Sequence, residues 1–259
     1  MSTSASVPVS ALVIAHPGHE LRAFGWASEV RPITFVLTKG DGHDGQPRVS
    51  STSRVLKDAG ASEGTIFGRF GDREIYDVFL NQRYGVIDAL CDELAAAFVQ
   101  AGITLVVCDA AEGYNPSHDV CRYLTVAAAR RASRLAGRPI EVFDFPLVGP
   151  PDECAGPLRA ACIRLQLTEE TFTAKLAHAR RYEELRYEVD RAIAANGAAA
   201  FRVEWLRPAT AVGTRWSEPP FYEQHGLRQV DAGHYSNVIR FDPHILGFLD
   251  VLERGSELP

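Results

Sequence analysis

Short apolar runs alternate with longer amphipathic stretches along the first half of the chain. The runs at 13–15, 33–37, 65–67, 103–108 and 140–145 are brief, apolar and partly β-branched, which predicts strands. Between them, 49–59, 85–100 and 120–135 carry helical spacing, and Val86, Leu90, Leu94, Ala97 and Phe98 fall on one helical face. Strands and helices in alternation predict an α/β fold, a Rossmann-like, mostly parallel sheet flanked by crossover helices. Thr168, followed by two glutamates, predicts the N-cap of a long charged helix that runs to about 195 and ends at Asn196-Gly197. A strand is expected at 201–206. The stretch 219–244 is rich in Tyr, His, Gly and Pro and predicts a long loop with a helix inside, a kind of segment that often covers active sites. The chain then divides into a core of about 10–195 and a C-terminal α/β extension of about 196–259, within a single domain spanning 1–259.

Composition narrows the function classes. With 259 residues and 46% hydrophobic content the chain is long enough to bury a sizeable core. A net charge of −6 argues against a nucleic-acid partner, since phosphate binding normally needs a basic face. The first residues lack the basic and apolar regions of a secretory signal, and no apolar run approaches membrane-spanning length. A cytoplasmic protein without membrane contact is expected. Five cysteines without C-x-x-C spacing predict reduced, buried thiols in place of a disulfide framework or thiolate zinc site.

The chemistry gathers at two predicted strand ends. His16 and His19 stand in Ala15-His-Pro-Gly-His-Glu20 after the first strand, and His118 ends Asn115-Pro-Ser-His118 after the strand at 103–108. Ligand sites form at such ends in α/β sheets, and three imidazoles there suggest a metal site. The G-x-G-x-x-G of a dinucleotide site is absent after the first strand.

Ala15-His-Pro-Gly-His-Glu20 resembles the A-H-P-D-D-E motif of the PIG-L/LmbE family of zinc-dependent N-acyl amino-sugar deacetylases, and Asn115-Pro-Ser-His118 resembles its second motif, H-P-D-H. Thr38-Lys-Gly-Asp, an arginine-led helix at Arg54 and the segment from Leu167 to Lys175 extend the similarity over about 10–195. The resemblance implies one Zn2+ per chain on His16, His19 and His118, with Glu20 behind them orienting an imidazole. It also implies departures. Gly18 stands where the family has its general base, Asn115 where it has an auxiliary histidine, and Ser117 where an aspartate supports that histidine.

These departures partly offset one another. His19 stands where the family has a ligating aspartate; exchanging a carboxylate ligand for imidazole leaves the metal more positive, and three-histidine zinc sites acidify bound water to a pKa of about 7. Hydroxide would form without the aspartate, but the leaving amine still needs a proton, a service worth about a hundred- to ten-thousand-fold in rate. Glu112, His225 and Asp41 are candidates for that proton chemistry, with His43 beside Asp41. Arg54, Arg73 and Asn115 are candidates for substrate binding, as are Arg69 and Asp72. The expected function is removal of an acyl group from an N-acylated amino sugar, glycoconjugate or related amide by metal-hydroxide attack. Two alternatives stand beside it: a glycan- or partner-binding protein that lost catalysis, and a metalloenzyme of different chemistry, because an all-histidine site also suits iron, copper or nickel. A homo-oligomer is compatible with all three.

Overall fold

The computed structural model describes residues 8–42, 45–154 and 159–257. Strands β1 (Ser10–Ile14), β2 (Ile33–Thr38), β3 (Ser62–Phe70), β4 (Leu105–Asp109) and β5 (Glu141–Phe145) pair in parallel in the order β3-β2-β1-β4-β5. Two more strands, β6 (Ile163–Gln166) and β7 (Val203–Pro208), continue the sheet, β7 antiparallel to β5 and β6 antiparallel to β7. This is the mostly parallel α/β sheet that the alternation predicts.

Why the central strands read as unbroken apolar runs is plain from β1, which is buried along its whole length. Ala11 and Val13 face one core cluster while Leu12 and Ile14 face another. Period-2 alternation disappears from the sequence because both faces are covered. One cover is made by α3 (Asp72–Leu80), α4 (Tyr84–Ala101), α5 (Pro116–Ala136) and α9 (Leu246–Glu257). Across the sheet lie α1 (Phe24–Val30), α2 (Val49–Ala59) and α6 (Glu169–Arg181). No described helix is long and apolar enough to cross a membrane.

Two expectations are corrected. The long charged helix is two helices, α6 and α7 (Arg186–Asn196), interrupted at Tyr182, whose backbone leaves the helical region at φ −80, ψ 86. The cause is tertiary: the Tyr182 ring is buried and its hydroxyl meets Thr52 Oγ1 at 2.9 Å and the Arg48 carbonyl at 3.2 Å. Nor are all cysteines buried. Cys91, Cys108 and Cys121 are, but Cys154 and Cys162 are half-buried with their sulfurs 3.1 Å apart. Within 219–244 the expected helix is α8 (Phe221–Asp231).

β1 leads to β2 on one side, whereas β4 pairs on its other side. The loops leaving the C-terminal ends of β1 and β4 therefore part in opposite directions and open a crevice between them, the usual ligand position in open α/β sheets.

Candidate functional site

The crevice is built by three short pieces of chain. Beyond β1, Gly18 adopts φ 103, a left-handed conformation suited to glycine, and turns the chain into a 3-10 turn, His19–Ala23. Its N–H donates to Glu20 Oε2 at 2.7 Å, which closes the turn. At the end of β4, the fully buried Asp109 accepts the Ala15 N–H and His19 Nδ1 on the same Oδ2, each at 2.8 Å. Ahead of α5, the Asn115 side chain accepts the Ser117 N–H at 2.8 Å and Pro116 occupies the first turn. This N-cap sets His118 in the opening turn of the helix, facing the other two histidines.

The three imidazoles meet. Ring centroids of His16 and His19 are 5.4 Å apart, His16 and His118 5.2 Å, and His19 and His118 4.6 Å. Imidazoles on a tetrahedral zinc, with Zn–N near 2.0–2.1 Å, have centroids about 5 Å apart. His16 Nδ1 lies 2.7 Å from Thr38 Oγ1 and 3.3 Å from Asp72 Oδ1, and its Nε2 is buried without a partner. Both His16 and His19 engage Nδ1 in hydrogen bonds, so Nε2 is the nitrogen each ring has free for another partner. Burial holds His19 and His118 well below the usual histidine pKa, reinforced by the neighbouring imidazoles and, for His19, by Arg22 and Arg48. Neutral imidazole is the ligating form. Among the described residues no group of three His, Cys, Asp or Glu is gathered to hold a metal as it stands. The ring spacing fits zinc, but the donor atoms do not converge on a common point.

Over the histidines lies a cleft of about 870 Å³, walled by Leu185 and α7, by the 147–149 loop and by Tyr114 and Tyr235. A second cleft of about 740 Å³ adjoins it, sharing Asp72, Tyr76, Tyr114, Asn115 and Tyr235. In the second cleft His225 stacks on Phe221 at 5.7 Å, and Phe221 lies parallel to Tyr114 at 5.0 Å.

The other residues singled out from sequence fall in different places. Glu112 Oε2 accepts the Leu147 and Val148 N–H groups at 2.9 and 3.0 Å, so its carboxylate fastens the rim of the cleft. Asp41 accepts the Asp72 N–H at 2.7 Å at the start of α3. His43 lies outside the described residues. Arg54 is exposed on α2 and donates to Ser51, and Arg69 pairs with Glu93. Arg73 lines only the second cleft. Glu20 is 1% exposed and spends its oxygens on the Gly18 N–H and the Thr52 hydroxyl; burial pushes its carboxyl up to about 7. It shapes the turn that carries His19, while the carboxylates that reach the imidazoles are Asp109 on His19 and Asp72 on His16.

Sequence reasoning passed over Asp109, Arg22 and Arg48. Arg22 stands three residues after His19, a spacing that brings side chains to one side of a helical turn, and it lines the same cleft. Asp109 carried a weaker signal, an acid closing an apolar strand.

No family model matches the chain. Nor does any curated protein sequence. Solved structures do. A pseudoaglycone deacetylase for an antimicrobial reagent is 16% identical with a TM-score of 0.51, over 78% of this chain and 97% of that one. The chain shares the α/β fold of that structure. Teicoplanin deacetylase in a zinc-inhibited form is 13% identical with a TM-score of 0.51, over 77% and 97%. Teicoplanin deacetylase in complex with teicoplanin is 13% identical with a TM-score of 0.50, over 77% and 98%.

Proposed function

We propose that this chain is a metal-dependent N-deacetylase that removes an acyl group from an N-acylated amino sugar carried on a larger glycoconjugate, with zinc as its metal. The observation that carries the reading is the set of three imidazoles at the ends of β1 and β4, spaced for zinc and tied at the back by Asp109 and Thr38. Zinc on His16, His19 and His118 would supply a Lewis acid for the amide carbonyl and an acidified water. The deacetylases of the same fold, one of them bound to teicoplanin, support an acylated substrate on a large carrier. Teicoplanin deacetylase was also captured in a zinc-inhibited form, which supports a metal-responsive site.

The chain's own groups position and enclose. Asp109 holds the His19 ring, and Thr38 with Asp72 holds His16. Burial of Asp72 works against its charge, but its interactions with His16, the Thr38 hydroxyl and the Gly42 N–H outweigh it and keep the carboxyl down at about 2. Leu185 and the 147–149 loop form part of the cleft wall. Glu112 and Asp41 are engaged with backbone N–H groups, which leaves His225, stacked in the adjoining cleft, to bring a proton to the departing amine.

The test is amine release from N-acetylated amino sugars by purified protein, with metal content measured alongside. Release that stops on chelation and returns with zinc is expected. Absence of both metal uptake and amine release would sink the hydrolase.

Gly18 favours a second reading, a glycan-binding protein without turnover. A Cβ at that position would collide with Leu185 Cδ1, so the place of a general base is filled by an apolar side chain. Saturable binding of the same sugars with no amine produced would decide for it.

A further inference from the structure

Among the described residues, the buried and half-buried cations Arg122, Arg131, Lys175 and Arg207 have carboxylate partners. Arg122 and Arg207 share Asp144, Arg131 holds Asp88 and Asp92, and Lys175 meets Glu204 at 2.8 Å. Two arginines in the wall of the histidine cleft break this pattern. Arg22 donates through Nε to the Pro146 carbonyl at 3.1 Å, but its Nη2 is buried with no partner. Arg48 is half-buried in the same wall, and among the described residues its guanidinium has no hydrogen-bond or ion-pair partner.

The carboxylates that act electrically on Arg22 are Glu112 and Glu204. Both are committed elsewhere. Glu112 holds the Leu147 and Val148 N–H groups, and Glu204 accepts from the Gly25 and Trp26 N–H groups and from Lys175. Both guanidiniums in turn bear electrically on His19. A cation taken from water without a partner is costly, and that cost is removed when a ligand brings the partner. The chain as a whole is net −6, and the cleft lining sets Arg22, Arg48, Lys175 and Arg191 against Asp72 and Glu188, so the excess of cations is local to this cleft.

We propose that the histidine cleft takes a substrate bearing an anionic substituent, a carboxylate or a phosphate, bound by Arg22 and Arg48 beside the group to be hydrolysed. The guanidinium fork matches either anion in two-pronged hydrogen bonding. The substrate is then an acidic glycoconjugate, and the arginines select it over a neutral one of equal size. This rests on the cleft being the substrate site, as proposed above.

The experiment is a calorimetric titration of the purified protein with D-glucuronate, D-glucose 6-phosphate and neutral D-glucose, repeated after dialysis against EDTA. Binding of one or both anions without matching binding of glucose is expected, and the arm that binds identifies the anion. Arg48→Gln and Arg22→Gln should each weaken anion binding about tenfold or more, the worth of a charge-assisted hydrogen bond, with circular dichroism confirming the fold. If Arg22→Gln fails to fold, Arg48→Gln decides alone. Equal binding of glucose and the anions, or unchanged anion binding in the folded variants, overturns the proposal. Anion binding that survives EDTA in a protein that releases no amine removes the hydrolase and leaves the anion site standing. Amine release without anion preference does the reverse.

Discussion

Asp109 decides which nitrogen of His19 faces the cleft, because its carboxylate accepts from Nδ1 while anchored by the Ala15 N–H. Asp109→Ala is therefore expected to lower zinc affinity about ten- to a hundredfold, measured by competition with a chromogenic chelator. Unchanged affinity would mean that His19 is not a ligand. The histidines were legible because each sits in a compact local motif at a strand end. Asp109 was not, since its partner lies ninety positions away in sequence and becomes a neighbour only when β4 pairs with β1. The arginines of the cleft were hidden for a related reason. The charged run around Arg69 and Arg73 stands out in the sequence, but Arg69 is paired with Glu93 and Arg73 lies in the adjoining cleft, while Arg22 and Arg48 line the histidine cleft with no ion-pair partner among the described residues.

At the level of elements, Tyr182 does more than end α6. Its hydroxyl crosses to Thr52 of α2, and the break it creates turns α7 into a wall of the cleft. Tyr182→Phe should cost about 1 kcal/mol in urea denaturation, with the same fold by circular dichroism. A loss near zero would show that the hydroxyl is not needed to hold the break. Nothing local predicts this interruption: the run Arg180-Arg181-Tyr182-Glu183 holds neither proline nor glycine, and burial of one ring overrides its helical pattern. The parallel strands were readable because burial on both faces leaves a continuous apolar signature. β6 escaped notice because it lies at the sheet's end, mostly exposed, with the mixed sequence Ile-Arg-Leu-Gln.

Across the whole molecule, Glu204 on β7 ties three elements together, accepting from the Gly25 and Trp26 N–H groups of α1 and from Lys175 of α6. Lys175→Met would strand that carboxylate in the interior, at an expected cost of about 3–5 kcal/mol and a matching fall in Tm. Stability within about 1 kcal/mol of the parent would mean that the α1 amides alone suffice for Glu204. The central strand carries a different consequence. β1 is buried on both faces and paired on both edges, so its amide protons should trade with deuterium only when the entire sheet opens. His16 stands two positions past its end. Anything that docks on these histidines and not on the unfolded chain therefore slows the slowest clock in the protein, and occupancy of the cleft becomes readable from the deuterium uptake of a strand that never touches the ligand.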